Sequence, residues 1–310
     1  MRHTIIVTLA GLLILSAAMA QQTPGGTASG APIVTPVQGN VYVISGAGPN
    51  LTVQIGKLGP VLVDTPDPSL VPQVLAEIRK LSPRPIRLLI HTTAEPDRMS
   101  ADAAIVAGGH VAEAMIDDNL YNRMLSAAKG PLPFPNSTIT YSAPMVDNFN
   151  SEAIVVYQVH AAITDADSVV FFRRSDVIST GAIYTPGRYP VIDIARGGTI
   201  EGLIDAVFKV LEIAVPDNLG DGGTVIVPDR GHLAEESDLG EYRNMLVIVT
   251  DRIRGLRSKG MTLEQIEASR PSLDYDTEYH ATPADANRFV ESIYRTLPQP
   301  AIAGTAGRNR

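Results

Sequence analysis

Residues 89–102 read Leu89-Ile90-His91-Thr92-Thr93-Ala94-Glu95-Pro96-Asp97-Arg98-Met99-Ser100-Ala101-Asp102. Ile86 to Ile90 is a β-rich run too short for a helix, and His91 stands where that strand gives way to a polar turn. The turn carries Thr93, Glu95, Asp97 and Arg98, so oxygen donors and a permanent cation arrive together at a strand end.

Upstream, Pro68 to Leu81 places Leu70, Val71, Val74, Leu75, Ile78 and Leu81 at helical spacing. Before it, Val41 to Ser45, Leu51 to Ile55 and Val61 to Val63 read as an antiparallel meander, broken by Gly46 to Asn50 and Gly56 to Pro60. The second half repeats the pattern, with strands at Ala153 to Val159, Ser168 to Phe172 and Val177 to Ser179, a helix at Thr199 to Ala214 and a strand at Thr224 to Val227. Two such halves predict an α/β (α+β) fold, a four-layer αββα sandwich with two sheets facing each other and helices outside. Asp238 to Lys259 carries an amphipathic stripe that should pack on this body. A last helix runs to Leu297, with Thr282 as N-cap and Pro283 in the first turn, where its missing N–H costs nothing.

The first twenty residues combine Arg2 and His3, an apolar run from Ile5 to Leu15 and the small-residue end Ala18-Met19-Ala20, the pattern of a secretory signal peptide cleaved after Ala20. The apolar run is shorter than the roughly 20 residues a spanning helix needs, so no membrane anchor is expected after cleavage. Residues 21–36, rich in Gly, Pro, Ser and Thr, are expected to be a flexible lead-in, the domain to cover 37–297, and 298–310 to fray. Cleavage removes Arg2 and no acidic residue, leaving 24 basic and 33 acidic side chains, a net charge of −9 that argues against a nucleic-acid partner. Without cysteine the chain has no disulfide, thiol nucleophile, Cys-based zinc site or cysteine-linked lipid. The expected location is the periplasm or the exterior.

At this point the chain resembles the metallo-β-lactamase fold superfamily, in particular its exported metallo-hydrolases, from about Val37 to Leu297. The likeness rests on Gly39-Asn40-Val41-Tyr42, Leu62-Val63-Asp64-Thr65, Gly187 to Asp193, and Asp238-Leu239 through Arg252. The resemblance implies one or two zinc ions held by a His-x-His-x-Asp-His turn, a histidine in a later His-Thr-Asp-Gly-Asp segment, an aspartate after Thr-Gly, and a histidine in a Pro-Gly-His-Gly loop. Neutral imidazole and carboxylate suit zinc because they offer lone pairs about 2 Å from the ion. Carried over residue by residue, the first turn holds Thr93, Glu95, Asp97 and Arg98, and the later positions hold Ile163, Ala182 and Arg230. Only Asp97 keeps a ligand type, so six of seven positions are lost. Pro96-Asp97, Thr164-Asp165, Thr180-Gly181, and Pro228 with Gly231 fix the register. His232 reaches the last position only if its loop shifts.

No cofactor is expected, since zinc lacks its ligands. Arg98 and Arg230 are expected to place guanidinium groups against Glu95 and Asp97, where bidentate pairing can replace metal charge; the plainer reading leaves them at a solvated rim. His91, His110, His160, His232 and His280 form no His-x-His or His-x-x-x-His spacing and read as hydrogen-bonded structural residues. Within the resemblance Asp64 and Asp193 are scaffold aspartates that satisfy backbone donors, and Gly108-Gly109 and Gly197-Gly198 are turn signals. The function expected first is a non-catalytic pseudoenzyme that binds a small molecule or a protein partner through the pocket at these positions. The alternative is a hydrolase with an oxygen-rich site for Mg, Mn or Ca using Thr93, Glu95, Asp97 and Asp165. A third reading keeps zinc hydrolysis through His91, His160 or His232. No Gly-x-Ser-x-Gly elbow supports a serine hydrolase.

Overall fold

The computed structural model describes residues 30–93, 99–128, 130–217 and 222–298. The expected signal peptide, residues 21–29 of the lead-in, the tail from residue 299, and Glu95, Asp97 and Arg98 lie outside the described residues.

Residues 33–36, read as part of the lead-in, belong to a strand instead. Ile33–Gln38 (β1) pairs antiparallel with Val41–Ser45 (β2), so the sheet starts before Val37. Thr35 and Pro36 continue the composition that suggested looseness, but Ile33, Val34 and Val37 supply strand-forming side chains at this sheet edge, where a proline is tolerated. From β2 the sheet continues through Leu51–Gln54 (β3) and Val61–Val63 (β4) as the expected antiparallel meander, then through Leu88–Ile90 (β5), Glu113–Asp117 (β6) and Thr138–Tyr141 (β7) in parallel. The second sheet has the order β12-β11-β10-β9-β8, from Met145–Phe149 (β8), Glu152–Val159 (β9), Asp167–Phe172 (β10), Val177–Gly181 (β11) and Val225–Pro228 (β12).

Side chains alternate between two environments along these strands, and the alternation sets the layers. Val41, Val43, Val61, Val63, Leu88 and Ile90 of the first sheet meet Ile154, Val156, Val170, Phe172, Val177 and Val227 of the second in one buried cluster. Their neighbours Ile44, Leu62, Leu89 and Ala114 point the other way, onto Val71–Leu81 (α1) and Met99–Gly109 (α2). On the far side Val169, Ile178 and Ile226 pack on Ile200–Ile213 (α4), Glu236–Ser258 (α5) and Pro283–Thr296 (α8). Each fully buried Leu, Ile or Val contributes about 1.5–3 kcal/mol, so the three clusters hold both sheets between their helices. This is the four-layer αββα sandwich.

Between β6 and β7, Asp118–Ala127 (α3) starts because the Asp117 side chain accepts from the N–H groups of Asn119 and Leu120. At the last helix Thr282 and Asp285 cap each other reciprocally, as Thr282 N–H reaches Asp285 Oδ2 at 3.1 Å and Asp285 N–H reaches Thr282 Oγ1 at 3.2 Å. Leu263–Ser269 (α6) and Leu273–Asp276 (α7) fill the connection between α5 and α8.

Candidate functional site

The strands β4, β5 and β6 run parallel and end on the same side as β11 and β12, so five carboxyl ends deliver their loops to one place. Asp64 follows β4 in the left-handed region at φ 64°, a conformation Asp tolerates better than most residues. Its Oδ1 accepts from Thr92 N–H at 2.8 Å and its Oδ2 from Thr92 Oγ1–H at 2.6 Å, tying the β4 end to the β5 end. Thr92 in turn accepts from Ser168 N–H at 2.8 Å, which joins the two sheets. Gly181 at φ 52° lets β11 come in close, since a Cβ there would lie 2.4 Å from Thr92 Oγ1.

Beside this knot His91 is buried after β5, with Tyr141 donating to its carbonyl oxygen at 3.5 Å and to Ser168 Oγ at 2.9 Å. The His91 ring meets Phe134 edge-on at 5.6 Å. Its Nε2 lies 3.7 Å from Asp102 Oδ1, beyond hydrogen-bond length, and has no hydrogen-bond partner among the described residues. Asp102, buried in the first turn of α2, accepts from Thr65 Oγ1–H at 2.9 Å. These groups open onto a small cleft, continuous with solvent and walled by Asp64, Thr65, His91, Thr93, Asp102 and Asp229 on its polar side. Leu120 and Met124, four apart on α3, and Ala182 after β11 form the apolar wall.

Of the residues selected from the sequence, the structure brings Thr93 and Ala182 to the cleft, where Ala182 N–H points at Thr93 Oγ1 at 3.5 Å. Ile163 does not line it: its side chain is buried in the core beneath α4, and a Cβ on Gly198 would sit 2.1 Å from its carbonyl oxygen. Arg230 is half-exposed, with its Nε 3.2 Å from Asp229 Oδ2 and an NH1–H bond of 3.3 Å to the Gly48 carbonyl. Its partner among the described residues is thus Asp229, its chain neighbour; Glu95, Asp97 and Arg98, the other members of the expected ion cluster, lie outside them. Asp165 is turned away from the cleft walls to pair with Arg123 of α3, and its carbonyl oxygen accepts from Asn119. Among the described residues no three His, Asp or Glu side chains gather as a metal-holding group.

His91 is buried as a structural residue, and of its ring nitrogens Nε2 has no bond among the described residues, the Asp102 carboxylate standing 3.7 Å away. Asp64 is the backbone-satisfying aspartate expected, and so is Asp193, which accepts from Arg196 N–H at 3.0 Å. Thr65, Asp102 and Asp229 were missed as cleft residues. Thr65 and Asp229 each stand within two positions of an apolar strand, a usable signal, but Asp102 sits in an Ala-Gly-rich helix whose face the sequence does not reveal.

Burial shifts the protonation of groups behind the cleft. Asp167, at the start of β10, is pushed up to about 7 by desolvation, against the N–H and hydroxyl of Thr164 that hold its charged form. Desolvation also raises Asp117, opposed by the α3 amides and Gln158, and raises Tyr141.

No family model matches the chain, and no curated protein matches it. Among solved structures it is similar to the stereoselective inverting sec-alkylsulfatase Pisa1 from Pseudomonas sp., at 17% identity and a TM-score of 0.65, over 86% of this chain and 50% of that one. The chain therefore spans about half the length of the alkylsulfatase. It is also similar to metallo-β-lactamases from Pontibacter korlensis, at 16% identity and a TM-score of 0.56 over 69% of this chain and 98% of that one, and from Hirschia baltica, at 16% identity and 0.55 over 70% and 98%. Identities this low carry the fold and not the activity. Two facing sheets, helices on both outer faces and these neighbours give the chain the metallo-β-lactamase fold.

Proposed function

We propose that this is an exported protein that binds a small molecule or a protein partner at the carboxyl-end cleft, without the zinc hydrolysis that the fold commonly supports. The observation that carries the reading is the fate of the later donor positions. Ala182 offers the cleft a methyl group, Ile163 lies in the core, and Arg230 sits on Asp229 and Gly48. None is a zinc donor, and a guanidinium beside a metal would oppose its charge. Asp64, the carboxylate at the β4 end, holds Thr92 through both oxygens. Among the described residues the donor set does not fit zinc.

The oxygen-rich alternative loses Asp165 to Arg123, but Thr93, Asp64, Asp102 and Asp229 still put oxygen atoms on the cleft wall. Elemental analysis separates the readings. After incubation with zinc, manganese and magnesium and removal of loose ions, the purified chain should retain less than about a tenth of an equivalent of any metal, because real sites hold their ions tightly. It should also turn over neither a secondary alkyl sulfate nor a β-lactam. A stoichiometric metal with accompanying hydrolysis would return the chain to the metallo-hydrolases.

A further inference from the structure

We propose that the end of the sandwich opposite the cleft docks on an anionic lipid surface. Strands β4, β5 and β11 all run toward the cleft, so the turns that lead into them, residues 55–60, 82–87 and 173–176, gather at the other end. Arg87 N–H bonds the Pro60 carbonyl at 2.8 Å, Leu58 N–H bonds Asn150 Oδ1 at 2.9 Å and Ser175 Oγ–H bonds Asn40 Oδ1 at 3.0 Å, which ties these turns to their neighbours on that end. They carry Lys57, Arg84, Arg173 and Arg174, all exposed, and none of the four pairs with a carboxylate among the described residues. Elsewhere the chain neutralises its surface cations: Arg252, Arg270, Arg288 and Arg295 each have a carboxylate oxygen within 3.3 Å. The carboxylates beside the three turns are already engaged, Glu77 with Lys80 at 2.7 Å, Glu113 with Arg87 at 3.1 Å and Asp176 with the Thr224 hydroxyl at 2.7 Å.

Charge and apolar exposure together choose the partner. A chain of net charge −8 that leaves four cations unneutralised at one end is an electric dipole, and an anionic surface attracts that end alone. Three of the four are arginines, whose guanidinium forks match phosphate oxygens. Leu58 stands 54% exposed beside Lys57. Its turn lies against the exposed Pro83–Pro85 turn, since a Cβ on Gly59 would come within 2.5 Å of the Pro85 carbonyl oxygen. A soluble polyanion offers that leucine nothing, whereas the boundary between headgroups and acyl chains buries it. Four cations and one leucine make a peripheral contact that salt reverses. Docking by this end leaves the cleft facing water and does not depend on what the cleft binds.

Co-sedimentation with lipid vesicles tests this on the chain freed of residues 1–20, whose apolar run would bind any bilayer. The vesicles are phosphatidylcholine alone or an equal mixture of phosphatidylcholine and phosphatidylglycerol. At about 0.01 M salt, where the screening length is about 30 Å, the chain should pellet with the mixed vesicles and not with phosphatidylcholine. At about 1 M salt, where that length is about 3 Å, it should stay in solution. Each cation near the surface contributes roughly fivefold, so Arg173→Gln/Arg174→Gln should weaken low-salt partitioning by about tenfold or more. Leu58→Ser should weaken it by about threefold or more through the lost apolar burial. Arg288→Gln/Arg295→Gln, which removes the same charge from paired positions on α8, should leave it unchanged, with thermal melts showing all three variants folded. No pelleting with the mixed vesicles at low salt, equal pelleting with phosphatidylcholine, or an α8 pair that matters as much as Arg173 and Arg174 overturns the proposal. So does unchanged partitioning of folded Leu58→Ser, which would assign this end to a soluble polyanion. Each of these failures leaves the cleft reading where it stands, since that reading is tested by metal content and turnover.

Discussion

At the turn end of the sandwich, side chains from four turns close on one another. Glu152, buried after the β8–β9 turn, accepts from Gln54 Nε2–H at 2.6 Å, Ser175 N–H at 2.5 Å and Ser175 Oγ–H at 3.1 Å. Asn150 donates to Gln54 Oε1 at 2.9 Å and to the Gly59 carbonyl at 3.0 Å, and Asn40 ties Ser175 to Ile55. At the carboxyl end the loops after β4, β5 and β12 and the first turn of α2 present Asp64, Thr65, His91, Asp102 and Asp229 around a small cleft, and the buried His91 Nε2 bonds nothing described. Buried polar groups stabilise a fold when their network is complete, so the turn end is built for stability, whereas the carboxyl end leaves one buried nitrogen, His91 Nε2, without a bond among the described residues.

The comparison breaks most visibly at Glu152. Glu152→Leu leaves two buried donors, Gln54 Nε2–H and Ser175 N–H, without this acceptor, each costing about 1–3 kcal/mol, so denaturant unfolding should show a loss of roughly 4 kcal/mol. A loss under about 1 kcal/mol would mean that water already satisfies those donors and that the turn end is no more closed than the other.

The carboxyl end should carry the pH response. Asp167 titrates near 7 in the folded chain and near 3.9 unfolded, so between these values the folded state binds a proton that the unfolded state has released. Stability contributed by this group is full below the unfolded value and is lost as pH rises through about 7, by at most ~4 kcal/mol at about 1.36 kcal/mol per unit. Unfolding free energies measured from pH 4 to 8 should fall accordingly and flatten in Asp167→Asn. A slope unchanged by that substitution would place the titration elsewhere.

A smaller effect is expected where the two sheets meet. Gly181→Ala forces a Cβ into the left-handed region and to within 2.4 Å of Thr92 Oγ1, the atom that Asp64 Oδ2 holds. Thermal melts should register a loss of about 2–3 kcal/mol, from about 1–2 kcal/mol of backbone strain and the displaced hydrogen bond. A neutral result would show that the Asp64–Thr92 knot yields, and that the rigidity assigned to this end is misplaced.

How far the sequence reaches follows the same division. The alternating apolar strands and the capped α8 are legible because each is a local pattern that burial later rewards: Val61 and Val63 face one layer and Leu62 the other, as their alternation requires. Helix α2 is not, since Ala101, Ile105 and Gly109 pack without a continuous apolar stripe, and Gly108 and Gly109, read as turn signals, lie inside the helix against the side-chain ends of Leu75 and Ile86. Edge strands β7 and β8 are half-exposed and polar, which hides their period. In the site, the substituted positions Ala182 and Arg230 could be located by their flanking residues. The gap between His91 and Asp102 could not, because it depends on two side chains eleven positions apart being brought together by β5 and α2.

The smallest expected effect is the sharpest test of that gap. His91→Phe removes a buried nitrogen that has no described partner, keeps the edge contact with Phe134, and leaves Asp102 still accepting from Thr65. Deleting an unsatisfied polar atom relieves a desolvation cost of about 1–3 kcal/mol, while the larger ring adds some crowding, so stability should change by less than about 1 kcal/mol in either direction. Side by side with Glu152→Leu, this gives two buried polar side chains of one sandwich with opposite consequences on removal. Should His91→Phe instead cost about 3 kcal/mol or more, His91 is bonded within the fold in solution, and the carboxyl end is as self-contained as the turn end.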